Sequence, residues 1–180
     1  MHAKTIALIT ILFLFLGCTQ QTESSQENGL IGGEFMKLLS NDLAAGQAIP
    51  AEFTCDGANK SPELHWEGAP QQTKSFALTM RDPDAPGGTF DHWLVFNIPA
   101  NVSIIPKGGP VPAGAEQMTN DFGEQDYGGP CPPSGTHRYY FKLYALDVEQ
   151  LECKTKQELF QQIEQHKIAE AELMGTYSRQ

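Results

Sequence analysis

Basic residues are scarce in this sequence. Lysine and arginine together number 12, against 22 aspartates and glutamates, which gives a formal net charge of −10. An acidic protein repels nucleic acid and anionic lipid headgroups through its overall field. We therefore expect no nucleic-acid partner, and any anion that the protein binds must be held by local groups.

The sequence also lacks an apolar run long enough to span a bilayer. Residues 6–16 are almost entirely apolar but number only 11, whereas a membrane-spanning helix needs about 20 residues. This short run follows Lys4 and precedes a polar segment, which is typical of a secretory signal rather than of a buried core helix. We therefore predict a signal peptide over residues 1–17.

Residues 14–18 end in Gly17 and Cys18 and resemble a bacterial lipobox, in which the cysteine is lipidated. This pattern predicts an exported, membrane-anchored lipoprotein of the bacterial cell envelope. The alternative is ordinary signal cleavage, which would give a secreted or periplasmic soluble protein. Residues 19–34 have almost no apolar side chains, so we expect residues 18–34 to form a lipid-attached flexible tether and residues 35–180 to form the folded domain.

Internal repeats, long heptad patterns and regular strand–helix alternation are absent as well, which disfavours a parallel doubly wound sheet. Short apolar or alternating segments are instead separated by turn residues, and this spacing favours an all-β sandwich. The predicted strands cover residues 36–40, 76–80, 92–97 and 138–146. Two late helices are expected: one begins at a capping box formed by Thr155 and Glu158, and a second runs from Ile168 to Met174 and stops at Gly175.

Three of the strands carry an ionisable residue in phase with their apolar residues. Because alternate side chains of a strand share a face, Asp82 continues the face of Phe76, Leu78 and Met80. By the same rule His92 shares a face with Phe90, Leu94, Phe96 and Ile98, and His137 shares a face with Tyr139, Phe141, Leu143 and Ala145. Burying one such group without a partner costs about 1–3 kcal/mol, so a single shared site is the simplest interpretation.

Simpler interpretations exist for each residue. Asp82 and Asp84 lie in a proline-rich segment and can be turn formers, and His92 alone can be a hydrogen-bonded core histidine. Arg138 and Tyr139 follow His137 and could both serve a phosphate oxygen. Strand alternation, however, directs Arg138 to the opposite face, where it would pair with surface carboxylates.

Six motifs, in this order and spacing, resemble the phosphatidylethanolamine-binding protein (PEBP) family, in its bacterial Raf kinase inhibitor-like branch. They occupy residues 53–57, 61–66, 82–86, 92–93, 129–133 and 136–139, and the resemblance runs from about Met36 to Arg179. It implies an all-β fold with minor α, namely a Greek key of two antiparallel sheets with short C-terminal helices. It also implies a pocket at one end for phosphate, acetate or a phosphoethanolamine headgroup, formed by Asp82, His92, Gly129, Pro130, Pro132, Pro133, His137 and Tyr139.

The resemblance also brings the loops of Cys55 and Cys131 to one end of the fold, which favours a disulfide between them. We expect no catalytic residue, no cofactor and no metal. In this interpretation His92 and His137 donate to anion oxygens, amides near Gly128 and Gly129 add donors, and Asp82 orients an imidazole or receives an amine. The expected partners are a small anionic ligand or phospholipid headgroup and the membrane, through the lipid anchor.

Three other classes remain open. Two histidines and a carboxylate are the ligand set of a facial metal triad, but no compact metal motif is present. A hydrolase would use Cys131 or Ser134 as nucleophile and His137 as base, but no G-x-S-x-G elbow is present. A protein-binding inhibitor is the third class, and for an exported protein an envelope protease is a more suitable target than a cytosolic kinase.

Overall fold

The computed structural model describes residues 35–179, which form a mostly β structure with one α-helix. The strands in chain order are β1 (Lys37–Leu39), β2 (Leu64–Glu67), β3 (Ser75–Asp82), β4 (Phe90–Pro99), β5 (Ile104–Ile105), β6 (Glu116–Gln117), β7 (Thr136–Leu146) and β8 (Lys167–Ser178). A short 3₁₀ helix covers Ala51–Phe53, and the helix α1 covers Lys156–His166. All four predicted strands are present, with small differences at their ends.

The strands form two antiparallel sheets. The smaller has the order β1-β2-β5 and the larger has the order β6-β4-β3-β7-β8. This arrangement confirms the predicted fold of two antiparallel sheets with minor α structure. The central strands β3 and β7 run beside each other, so that the end of β3 at Asp82 lies close to the start of β7 at His137.

Apolar side chains pack on both faces of the larger sheet. One face packs toward the smaller sheet and includes Phe76, Leu78, Met80, Trp93, Val95, Tyr139, Phe141 and Leu143. The other face includes Ala77, Leu94, Phe96 and Tyr144, and it packs against Leu159 and Ile163 of α1. Burial of apolar area on both faces holds the central strands firmly, which gives the ends of β3, β4 and β7 fixed positions.

Helix α1 begins as its sequence predicts. The Thr155 hydroxyl accepts a hydrogen bond from the amide of Glu158 at 3.2 Å, and the Glu158 carboxylate accepts from the amide of Thr155 at 3.2 Å. This reciprocal pair is a capping box, which satisfies amides that the first helical turn leaves free. Leu159 and Ile163 then bury one side of the helix against the sheet, and Phe160 packs beside them.

The second predicted helix, Ile168 to Met174, is wrong, because these residues belong to β8. β8 pairs along the whole length of β7 and completes an edge of the larger sheet. Its burial alternates, and Ala171, Leu173 and Gly175 face the core while their neighbours are more exposed. Gly175 lies within this strand, where an added Cβ would approach Ile49 Cγ1 to 2.6 Å, so close packing rather than a helix end calls for glycine there.

The predicted signal peptide and tether, residues 1–34 with Cys18, lie outside the described residues. Within residues 35–179, no helix has the length and apolar character needed to cross a membrane.

Candidate functional site

The three ionisable residues of the strand ends meet in one small cavity of about 180 Å³. Its walls are formed by Asp82, Ala85, Pro86, Phe90, His92, Phe122, Cys131, Pro132, Pro133 and His137. Sites for drug-sized ligands usually measure about 300–1,000 Å³, so this cavity suits a much smaller molecule. The residues that line it include no lysine or arginine, so the two imidazoles are its only basic side chains.

Asp82 and His137 form a buried pair at the ends of β3 and β7. His137 Nδ1 lies 2.7 Å from Asp82 Oδ2, and the two residues are 7% and 3% exposed. Because a carboxylate is an acceptor, Nδ1 carries the hydrogen and Nε2 is the ring nitrogen left for a ligand. The other oxygen of Asp82 accepts from the amide of Asp84 at 2.8 Å, so the carboxylate that orients His137 is itself fixed by the following loop.

His92 reaches the cavity through an irregularity in β4 rather than by simple alternation. Met80 pairs with Trp93 and Arg81 pairs with Asp91, so His92 is an extra residue on β4. Such a β-bulge turns two successive side chains toward one face. The side chains that share this face are therefore Trp93 and Val95, whereas Leu94 and Phe96 pack on the opposite face. The predicted position of His92 agrees with the structure, but the predicted face-sharing with Leu94 and Phe96 is wrong.

The environment of His92 favours a neutral ring. Its Nδ1 donates to the carbonyl oxygen of Gly128 at 2.7 Å, which leaves Nε2 as an acceptor in the neutral tautomer. Burial lowers the pKa of His92, although the Gly128 carbonyl and the Asp82 carboxylate oppose this change. At neutral pH His92 therefore accepts a hydrogen bond, and it becomes a donor only when it is protonated at lower pH.

Aromatic rings form one wall of the cavity. The Phe90 and Phe122 ring centroids lie 5.0 Å and 5.3 Å from that of His92, and 4.8 Å from each other. Neither phenylalanine was among the predicted site residues. Phe90 shares the phase that selects His92, which could have identified it, whereas Phe122 lies in a loop whose sequence gives no such signal. Asn120 holds this loop by accepting from the amide of Phe122 at 2.9 Å and donating to the His92 carbonyl at 3.1 Å.

Tyr139 lies behind the imidazoles rather than in the cavity wall. Its ring is stacked with that of His137 at 6.5 Å and meets His92 edge-on at 5.2 Å. The side chain is fully buried, and its hydroxyl has no hydrogen-bond partner among the described residues. Burial, together with the nearby Asp82 carboxylate, raises the pKa of Tyr139, so the phenol stays neutral and supports both histidines by packing.

The loop of Gly129 forms the opposite wall. Pro132 and Pro133 line the cavity, whereas Gly129 and Pro130 are buried behind it. The prediction that amides near Gly128 and Gly129 donate to an anion is wrong. The Gly128 amide already donates to the His92 carbonyl at 3.1 Å, and the Gly129 amide donates to Asn59 Oδ1 at 2.8 Å. These bonds fix the loop and leave the imidazoles as the donors.

The rim beside β7 is held by a salt bridge. Asp84 accepts from the amide, Nε and NH2 of Arg138, at 2.9, 2.8 and 2.6 Å. The Arg138 guanidinium holds the pKa of Asp84 well below its usual range. Arg138 therefore points away from the cavity and pairs with a carboxylate, as strand alternation predicts. This bidentate contact fixes the loop after β3, and Asp84 has a structural role in it.

Cys55 and Cys131 form a disulfide with their Cα atoms 5.4 Å apart, which is the pair that the resemblance implied. Cys131 is therefore not a free nucleophile in this structure. The other nucleophile considered, Ser134, is exposed and does not line the cavity of His137.

The other possible sites among the described residues are weaker candidates than this cavity. Within residues 35–179, no group of three or more His, Cys, Asp or Glu side chains is arranged to hold a metal ion. The described residues also line three larger clefts of about 500, 560 and 670 Å³. These clefts are open to solvent and contain none of Asp82, His92 and His137, so the small cavity is the better candidate.

Known proteins are similar to this chain in sequence and in fold. The sequence model of the phosphatidylethanolamine-binding protein family matches residues 39–178. A UPF0098 protein from Methanothermobacter thermautotrophicus is 47% identical over 137 residues, which cover 73% of this chain and 91% of that protein. The crystal structure of a PEBP homologue from Chlamydia trachomatis is 40% identical, with a TM-score of 0.75, and the alignment covers 81% of this chain and 99% of that one. The crystal structure of Escherichia coli YbcL, described as a member of the mammalian PEBP family, is 38% identical, with a TM-score of 0.76 and the same coverage. The chain therefore belongs to the phosphatidylethanolamine-binding protein family.

Proposed function

We propose that this chain is a non-catalytic binding protein for small phosphate-like anions, including free phosphate and phosphorylated headgroups such as phosphoethanolamine. One observation carries the proposal: the Asp82–His137 pair and His92 share a single small cavity. Buried ionisable side chains that meet in one cavity are candidates for a binding site. The name of the family refers to phosphatidylethanolamine, which agrees with this ligand class.

The donors in this proposal are the two imidazoles. Asp82 holds His137 by its Nδ1, which leaves Nε2 to donate to a ligand oxygen when the ring is charged. His92 accepts the hydroxyl hydrogen of a protonated phosphate when it is neutral, and donates when it is charged. The rings of Phe90 and Phe122 exclude water from the same space, which strengthens each of these hydrogen bonds.

The affinity for phosphoethanolamine is expected to rise as the pH falls from about 8 to about 5.5. Burial places the pKa of His92 below the ordinary value of 6.5, so this ring gains its second donor only in the acidic part of that range. Isothermal titration calorimetry at both pH values measures the change, which we expect to be at least about tenfold. Inorganic phosphate and ethanolamine, titrated separately, show which half of the ligand is bound.

A matched control is His65→Asn, because His65 lies on β2 outside the cavity and is paired with Glu63 at 2.7 Å. This variant should keep the wild-type affinity and pH dependence. Equal affinities at the two pH values in the wild-type protein would refute the imidazole-donor mechanism. Binding of ethanolamine in the absence of phosphate binding would contradict the anion assignment.

We further propose that the protein is an exported lipoprotein of the bacterial Raf kinase inhibitor-like branch, anchored through Cys18. The support is the sequence alone: an apolar run of 11 residues after Lys4, followed by the lipobox-like residues 14–18. An anchored protein would meet phospholipid headgroups at the membrane surface. Fatty-acid labelling that persists in Cys18→Ser would contradict lipid attachment at Cys18.

A further inference from the structure

The Cys55–Cys131 disulfide is part of the cavity wall, and its two ends differ in exposure. Cys131 is half-buried and lines the cavity with Asp82 and His137, whereas Cys55 is exposed to solvent. The bond joins two loops that are 76 residues apart in sequence. A reductant can therefore approach Cys55 from solvent, while Cys131 lines the candidate binding site.

The two loops remain joined without the disulfide. The Cys55 amide donates to the Pro130 carbonyl at 3.1 Å, and the Gly129 amide donates to Asn59 Oδ1 at 2.8 Å. The Tyr127 hydroxyl donates to the Phe53 carbonyl at 2.7 Å and is buried there. These three hydrogen bonds lie beside the disulfide, so we expect the cavity wall to stay in place when the disulfide is reduced.

We propose that Cys131 is a releasable thiol of the cavity and a site of covalent modification by small anionic thiol-reactive molecules. A thiolate of a dithiol reductant attacks Sγ of Cys55, forming a new S–S bond there and breaking the bond to Cys131. Cys131 leaves with the electron pair as a thiolate and is then protonated. The second thiol of the reductant attacks the mixed disulfide and releases Cys55, so that the reductant is oxidised to a disulfide and the protein gains two electrons and two protons.

The neighbours of the released thiol select its reaction partners. Cys131 shares its cavity with Asp82 and with the imidazoles of His92 and His137, which attract an anionic reagent when they are protonated. The free cysteine Cys153 is also half-buried, but the carboxylates near it are those of Glu116 and Glu158. The preference of Cys131 for anionic reagents rests on the proposed anion-binding function, whereas the release of its thiol does not.

Alkylation of the folded full-length protein tests both parts. The chain is treated with dithiothreitol, labelled near pH 6 with neutral iodoacetamide or anionic iodoacetate, and mapped by peptide mass spectrometry, with circular dichroism as the check on folding. Cys131 should be unlabelled before reduction and labelled afterwards in the folded protein. Its ratio of iodoacetate to iodoacetamide labelling should exceed that of Cys153 by about tenfold, and inorganic phosphate should protect Cys131 but not Cys153.

The direction of attack has its own readout. Reduced glutathione, quenched with iodoacetamide, should leave glutathione on Cys55 and the alkyl group on Cys131. In Cys55→Ser, Cys131 should react without any reductant, which removes dependence on the reduction step. If Cys131 did not react in this folded variant, the proposed release of its thiol would be refuted. Labelling that appears only when the circular dichroism signal of the folded protein is lost would refute it as well. A reactive Cys131 with no preference for iodoacetate and no protection by phosphate would instead overturn the anionic selectivity and count against the proposed function.

Discussion

Asp82→Asn is expected to weaken phosphoethanolamine binding by about 10- to 150-fold near pH 6, because a hydrogen bond to a charged group contributes about 1.5–3 kcal/mol. Asp82 accepts from His137 Nδ1 at 2.7 Å and so fixes the ring whose Nε2 faces the ligand. Asparagine keeps an oxygen that can accept from the Asp84 amide, so the loop after β3 is retained. The missing negative charge leaves the imidazolium form of His137 without its partner.

Calorimetric titration of the variant measures this loss, and urea unfolding confirms that the variant is folded. The matched control is Asp147→Asn, because Asp147 accepts from His166 Nδ1 at 2.9 Å in the same geometry but on the exposed surface. Binding by the control should equal that of the wild type. If Asp82→Asn bound phosphoethanolamine as tightly as the wild type, or more tightly, the supporting role of the carboxylate would be disproved.

Gly129→Ala is expected to lower the free energy of unfolding by about 1–3 kcal/mol or more, as overpacking of a dense interior commonly does. A Cβ atom at this position would lie 2.4 Å from the Phe53 carbonyl oxygen, 2.5 Å from Asn59 Oδ1 and 2.9 Å from Thr54 Cα. Two of these contacts are with backbone atoms, so the loop itself must move. Because the same loop carries Pro132 and Pro133 into the cavity wall, ligand affinity should fall as well.

Gly87→Ala provides the comparison within the same end of the fold. An added Cβ at Gly87 meets no atom within 4 Å and the backbone there is not left-handed. Its free energy of unfolding should change by no more than about 0.5 kcal/mol. Urea denaturation of both variants gives the two values. Equal changes for the two glycines would show that close loop contact does not shape this wall.

Strand alternation predicted the meeting of Asp82 and His137 correctly, since β3 and β7 are regular where these residues lie. The same reasoning placed His92 in the right cavity, but simple alternation along β4 does not explain how it gets there. β4 contains a bulge at His92 and a further irregularity near Asn97, whose φ is +57°. A bulge depends on how two strands pair, which a single strand's sequence does not specify.

The last strand shows tertiary structure overriding local preference. Residues 168–174 are rich in alanine, glutamate, leucine and methionine, which favour helix. They form β8 because β7 offers a long unpaired edge, and pairing with it satisfies the backbone of both strands. Helix α1, which has a capping box and a buried stripe of its own, was predictable without knowledge of its neighbours.

Contacts between loops were beyond prediction from the residues alone. Phe122 reaches His92 because Asn120 folds its loop back onto β4. The amides of Gly128 and Gly129 are consumed by His92 and Asn59, so they are unavailable to an anion. The sequence motifs indicate which loops surround the cavity, but the hydrogen bonds between loops decide which donors a ligand can use.

The most direct test of the shared anion site is a titration of the folded protein with inorganic phosphate, observed through the ring ¹⁵N resonances of its histidines. The cavity predicts saturable shifts, with one common dissociation constant, for His92 and His137. His65 and His166, which are paired with Glu63 and Asp147 outside the cavity, should not shift. Unchanged resonances of His92 and His137 at saturating phosphate, or equal shifts of these two and of His65 and His166, would contradict the account.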